Sequence, residues 1–274
     1  MTDAQITYEV ADRIGLITLN RPEARNGYTL QMADEVAAAL ADANRNDAVR
    51  VVVLAANGRD FCVGADLSSG ALTVTEEGSG SSWVEPATRV ARPMYNLDKP
   101  VIAAVCGAAV GVGSTMILPA DFRIASDDSR FGFVFARRGI YPEGGSTWFL
   151  PRLVGIGRAT DWMLTGRLIA ADEALAAGLV TEVLPRAEVL GRALELAADI
   201  STRVAPVSAA VIRKALHRMS ARTGPEAAFR LDSLLIASCA TSADAVEGVQ
   251  SFLERRDPVF PGRVPDGIPD FLPW

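Results

Sequence analysis

Lys99-Pro100-Val101-Ile102-Ala103-Ala104-Val105-Cys106-Gly107-Ala108-Ala109-Val110-Gly111-Val112-Gly113-Ser114 is the stretch from which the architecture is read. Val101 to Val105 has no polar face, so it predicts a strand buried on both sides. Glycines at 107, 111 and 113 interrupt it, and a second apolar run, Met116 to Leu118, meets Pro119 and Asp121. The order is buried strand, turn, buried helix. Val101 to Ala120 is twenty residues without a charge, long enough to cross a bilayer. The central glycines and the charged remainder of the chain argue for a folded unit instead, and no membrane span is expected.

The same style extends outward. Arg50 to Ala55 is another β-branched run that predicts a buried strand. Before it, residues 29–43 place Leu30, Ala33, Ala37 and Leu40 at helical spacing. Ile6 to Val10 and Ile14 to Leu19 predict a hairpin around Ala11-Asp12-Arg13. Eight of the fifteen residues from Ser68 to Ser82 are Ser or Gly, which predicts a surface loop. Residues 86–97 read as helix, and Asp121 to Ala125 and Phe131 to Phe135 as strands. Beyond about residue 145 the pattern is almost wholly helical, and the tail from Pro258 holds five of the fifteen prolines. Strand–helix units followed by helices predict an α/β fold. The expected division is a core over 1–200, a helical oligomerisation region over 201–257 and a Pro-rich tail over 258–274.

Composition narrows the chemistry. The chain has 274 residues, 49% of them apolar, which excludes a disordered polymer. With 27 basic and 33 acidic residues the net charge is -6, against a general nucleic-acid binder. His217 is the single histidine, and Cys62, Cys106 and Cys239 are the only cysteines. No His-rich metal site and no C-x-x-C clip can be built, and the odd cysteine count fits a reducing, cytoplasmic compartment. The cysteines read as small buried apolar residues. Met1 to Gln5 has neither a charged nor an apolar leader region, so no signal peptide is expected. Carboxylates and backbone amides remain as the chemical groups.

Three segments could carry them. In Phe61-Cys62-Val63-Gly64-Ala65-Asp66-Leu67, a glycine after a buried strand lets a backbone N–H point into a cavity. In the second, Gly111 and Gly113 open an apolar helix whose first-turn N–H groups are free and carry the positive helix end. Two amides from separate loops could hold an oxyanion. The third is Gly139-Ile140-Tyr141-Pro142-Glu143-Gly144-Gly145-Ser146, with an acid directly before a helix. Taken singly, each also reads as close packing or a solvated helix-end charge.

Together the segments resemble the crotonase (enoyl-CoA hydratase/isomerase) superfamily. The matches are Ile17 to Glu23, Phe61 to Leu67, Lys99 to Gly113, Ala120 to Ala125 and Ala174 to Val180. The resemblance implies a spiral of ββα units with a C-terminal helical trimerisation region, assembled as a homotrimer or hexamer. It implies an acyl-CoA thioester as substrate, with no separate cofactor or metal. The oxyanion amides fall on Ala65 and Val112, beside Gly64 and Gly111. Arg25 falls on a basic position near the CoA phosphates, and Phe252 with Arg255 on a segment that approaches adenine. Arg213, Lys214, His217 and Arg218 share one helix face, with Lys214 a further phosphate contact or part of a solvated basic face.

The departures from the family point further. Where its hydratases carry two glutamates, this chain has Thr115 and Phe135. Glu143 stands where Δ3,Δ2-enoyl-CoA isomerases carry theirs, in a Pro-Glu-Gly context. The resemblance therefore implies an isomerase of fatty-acid oxidation with Glu143 as acid and base, Phe135 forming part of an apolar wall against it. A hydratase or other crotonase reaction, and a non-catalytic CoA-binding paralogue, are the alternatives. Asp66 and Asp121 read as structural.

Overall fold

The computed structural model describes residues 4–66 and 83–274. Leu67 and the Ser68 to Ser82 loop lie outside the described residues. β1 (Ile6–Ala11) and β2 (Ile14–Leu19) pair antiparallel, Ile6 opposite Leu19. Asp12 and Arg13 turn between them with φ of 50° and 67°, the two-residue turn whose twist matches its strands. A 3-10 turn at Pro22–Ala24 precedes α1 (Leu30–Arg45), where the Thr29 side chain caps the helix by accepting from the Met32 N–H. Then come β3 (Val51–Ala56), α2 (Thr88–Asn96), β4 (Val101–Val105), β5 (Ala108–Val110) and α3 (Val112–Thr115). β6 (Phe122–Ser126), β7 (Arg130–Gly132), α4 (Ser146–Val154), α5 (Ile156–Thr165), β8 (Leu168–Ala170), α6 (Ala171–Ala177) and β9 (Glu182–Leu184) follow. The chain ends in α7 (Arg186–Arg203), α8 (Pro206–Met219), α9 (Glu226–Cys239), α10 (Ala243–Glu254) and the short α11 (Val264–Gly267).

The larger sheet runs β1-β2-β3-β4-β6-β9, parallel after the first hairpin, and the smaller runs β5-β7-β8. β4 leads directly into β5 and β6 into β7, so successive passes of the chain add one strand to each sheet. This is the expected ββα spiral, followed by C-terminal helices. Alternation along β3 sends Val52 and Leu54 to the main core, with Leu19, Ala103 and Phe61. Val51, Val53 and Ala55 face the other side, under Val189, Ala193 and Ala197 of α7. Those three recur every fourth residue, a seam of one helix face. A strand covered on both sides has no room for polar alternation, which is why Arg50 to Ala55 reads as a continuous run.

Several expectations need correction. On α1 the buried stripe is Met32, Ala33, Val36, Ala39, Leu40 and Ala43, while Leu30 is 42% exposed. Thr29 fixes the helix start, and Leu30 in its first turn points outward. Helix α3 is a single turn, so its macrodipole is small and only its free N–H groups count. The strand expected over 131–135 is Arg130–Gly132, and Phe135 instead begins a 3-10 turn at Ala136–Arg138. β8 and β9, three residues each, interrupt the segment read as helical. Cys62 is buried, but Cys239 is exposed on α9. The division expected at residue 200 falls inside α7. Among the described residues no helix is long and apolar enough to cross a membrane.

Candidate active site

The loop after β3 is held from several sides. The Asn26 side-chain amide donates to the carbonyls of Asn57 and Asp60, both at 2.8 Å. Asp60 accepts from Arg25 Nε at 2.7 Å and from the Ala108 N–H at 2.9 Å. Burial opposes ionisation of Asp60, but these two donors together hold its carboxyl below the ordinary range. At the loop's far end Arg21 contacts Asp66 at 3.1 Å, so Asp66 is structural.

Ala65 lies between two tethers. The Tyr28 N–H donates to Gly64 O and the Asp66 N–H to Tyr28 O, each at 2.9 Å. That pattern turns the N–H of the intervening residue, Ala65, to the opposite side of its segment. The second loop approaches there. The Cys62 N–H donates to Ala108 O at 3.0 Å and the Val110 N–H to Cys62 O at 2.9 Å. Gly64 (φ 103°) and Gly111 (φ 57°) meet back to back: a Cβ added to Gly111 would lie 3.7 Å from Gly64 Cα. Each glycine is followed by the residue whose amide the sequence singles out. Gly111 O accepts from both Ser114 and Thr115. Val112 and Gly113 therefore have N–H groups without a partner among the described residues, as helix starts do. A Cβ on Gly113 would sit 2.1 Å from Cys62 O, so the two loops are in backbone contact.

Glu143 completes the arrangement. Thr115, one turn beyond Val112, is fully buried and donates its hydroxyl to Glu143 Oε1. The acid is thereby fixed to the same helical turn that presents the Val112 amide. Burial raises the Glu143 carboxyl to about 8; the Thr115 hydroxyl pulls it down, and the charge of Glu85 pushes it up. A carboxylic acid near neutrality can both take and return a proton. Phe135, expected in an apolar wall, has its ring 3% exposed and packed within the main core.

The expected CoA contacts divide. Arg25 keeps its side chain 56% exposed while bonded to Asp60, and Phe252 is 80% exposed on α10. The basic face of α8, by contrast, is docked against the protein. Arg213 bonds Asp121 at 2.7 Å and the carbonyls of Tyr95, Leu97 and Met94. Lys214 pairs with Asp98, His217 with Asp121, and Arg218 stacks over Tyr95. Helical spacing identified the face correctly but not its occupant. Lys214 is 18% exposed and paired with Asp98, an acid that helical spacing alone does not reveal. Asp121, expected to be structural, is the centre of this contact and also accepts from the Val101 N–H at 2.7 Å.

Sequence reasoning missed Glu85 and the bond between Thr115 and Glu143. Glu85 has a local signal, an acid directly before a helix start. The Thr115 bond spans 28 residues and leaves no periodic trace.

Residues 9–263 match the family described as enoyl-CoA hydratase/isomerase. Enoyl-CoA hydratase ACTT3 of Alternaria alternata is 38% identical over 251 residues, 91% of this chain and 83% of that one. 1,2-epoxyphenylacetyl-CoA isomerase of Escherichia coli K12 is 32% identical over 249 residues, 90% of this chain and 94% of the other. The solved enoyl-CoA hydratase of Bacillus anthracis superimposes with a TM-score of 0.85 at 31% identity, covering 93% and 98% of the two chains. Relatives thus carry both hydratase and isomerase names.

Proposed function

The chain belongs to the enoyl-CoA hydratase/isomerase family, and from that premise we propose that it moves a double bond in an acyl-CoA, converting a 3-enoyl thioester to the 2-enoyl form. The observation that carries this reading is a half-buried acid, Glu143, held by Thr115 beside two loops with outward amides. Glu143 removes a proton from C2. The charge moves to the thioester oxygen, where the Ala65 and Val112 N–H groups receive it as a dienolate. The protonated acid then delivers the proton to C4, the C=C bond shifts, and no atom is gained or lost.

Hydration places different demands on the site, because water must be activated while a second group delivers the proton. Thr115 and Phe135 hold the two positions at which the family's hydratases carry carboxylates, and neither can ionise as an acid. Arg25 remains the exposed cation available for the CoA phosphates, and Phe252 an exposed ring for the adenine. The apolar residues exposed on α8 to α10, among them Ile212 at 57%, Leu216 at 68% and Ile236 at 69%, support self-association, as a trimer or a hexamer. Light scattering on the purified chain reads that stoichiometry.

The deciding experiment offers the purified protein 3-enoyl-CoA and 2-enoyl-CoA. Double-bond migration and 3-hydroxyacyl-CoA formation are followed for wild type and Glu143→Gln. Migration that falls by ~10²–10⁴-fold in the variant supports the proposal. Hydration as the main reaction, surviving the substitution, overturns it.

A further inference from the structure

Glu85 makes more bonds than a helix start requires. Its carboxylate accepts from the Ala87 N–H at 2.7 Å, the Thr88 N–H at 3.0 Å and the Thr88 hydroxyl, which together cap α2. One further donor, the Gly144 N–H at 2.8 Å, comes from 59 residues along the chain. That amide shares its peptide plane with the carbonyl of Glu143. Among the described residues no cation pairs with Glu85, so its charge is offset by neutral donors only.

We propose that Glu85 is a positioning residue of this site, clamping the backbone of Glu143 against the start of α2 and setting a second carboxylate beside the acid. The proposal rests on the reading that Glu143 moves the proton. The titratable and polar groups near Glu143 come from several sides: the Thr115 hydroxyl from α3 and Glu85 from the start of α2 act on it, while Tyr28 from before α1 and Cys62 from the loop after β3 feel its charge. Burial pushes the Tyr28 phenol far up and the Cys62 thiol to about 12, so both stay neutral at ordinary pH. Among the described residues Glu85 is the charge that opposes ionisation of Glu143. Its clamp and its charge separate experimentally, because a glutamine keeps an amide oxygen for the Gly144 and Thr88 donors, giving up only the Ala87 N–H bond, and loses the charge.

The test uses the full chain with ¹³C-labelled glutamate carboxyls, the Glu143 resonance being the one missing from Glu143→Gln. Glu85→Gln is expected to lower the Glu143 titration midpoint by ~0.5–1 pH unit. Its maximal kcat should stay within about threefold of wild type, since the clamp is retained. Glu85→Ala, losing the clamp as well, is expected to lower kcat ~10–100-fold with little change in KM. An unmoved midpoint in Glu85→Gln overturns the proposal, and so does full kcat in Glu85→Ala. Should the alanine variant fail to fold, the glutamine titration still decides. That titration requires no turnover, so it stands apart from the isomerase reading, which fails instead if Glu143→Gln retains migration.

Discussion

Replacing Thr115 by valine removes one hydroxyl from a fully buried position and keeps the shape of the side chain. The hydroxyl donates to Glu143 Oε1 and lowers the affinity of that carboxyl for its proton. A hydrogen bond to an ionised group contributes ~1.5–3 kcal/mol. The hydroxyl also bonds the neutral acid, so only part of this separates the two protonation states. A net effect of ~1.4 kcal/mol, about one pH unit, is the working figure. The midpoint then moves up from about 8. A base with its midpoint near 8 is ionised to roughly one part in ten at pH 7, and to about one in a hundred after the shift. The rate of double-bond migration at pH 7 should therefore fall ~10-fold in Thr115→Val, with the loss closing at high pH where both enzymes are ionised. Profiles of kcat/KM between pH 6 and 9.5 measure this, with Thr115→Ser as the variant that keeps the hydroxyl. A loss of equal size at every pH refutes the reasoning, because it would mean that Thr115 serves geometry alone. A limb in its wild-type place refutes it too.

Three further outcomes follow from the same structure. Glu143 has its folded midpoint raised to about 8 from 4.5, so the folded state holds the proton more tightly than the unfolded chain. Wild type should lose stability as pH rises between those values, by at most ~1.4 kcal/mol per unit, and Glu143→Gln should not. The gain in Tm of Glu143→Gln over wild type should be small at pH 5 and several degrees at pH 8; a constant gap would refute it. Gly113→Ala puts a Cβ 2.1 Å from Cys62 O, where backbone must move, so a loss of ~1–3 kcal/mol in urea unfolding and a displaced Val112 amide are expected. Wild-type stability and rate in that variant would contradict the loop contact. Arg213→Met leaves Asp121 buried without its guanidinium and should cost ~3–5 kcal/mol at pH 7. Burial works against the Asp121 charge, yet His217 and Arg213 hold its carboxyl below the ordinary value. The penalty should therefore shrink as pH falls through the carboxylate range, which denaturation at pH 3 and 7 would show.

The parts of the fold legible in the sequence are those whose signal is local. Val101–Val105 and Val51–Ala56 are strands because both faces are covered, and an unbroken apolar run records that directly. Gly64, Gly111 and Gly113 were readable because close backbone approach excludes a side chain. Glu143 was readable because an acid between Pro142 and two glycines matches a family pattern. What was not legible depends on distant partners. The basic spacing of α8 says which side chains share a face, and only the tertiary structure shows Asp121, Asp98 and the carbonyls at the end of α2 waiting there. Strands β8 and β9 are three residues long, too short for a period of two to show. Leu30 fits the apolar spacing of α1 but falls in the turn beside the cap, where the helix has not yet reached the core.

Thr115 and Glu85 act on Glu143 with opposite sign, and that opposition bears on which reaction suits the site. A base that returns the same proton it removed must be neither a firm holder nor a ready loser of it. Burial alone would leave Glu143 a firm holder, and the buried hydroxyl of Thr115 counters this by stabilising the ionised form. A carboxylate at position 115 would instead face Glu143 across the same short contact. Two acids so placed cannot both ionise, and the pair would titrate in two separated steps, one acid and one base. That division suits activation of water by one group and proton delivery by the other. With a hydroxyl at 115 one titrating group remains at this contact, and Glu85, engaged by four donors, modulates it from outside. A hydroxyl at 115 thus leaves one proton carrier at this contact, which fits the double-bond migration proposed above through charge and not through shape.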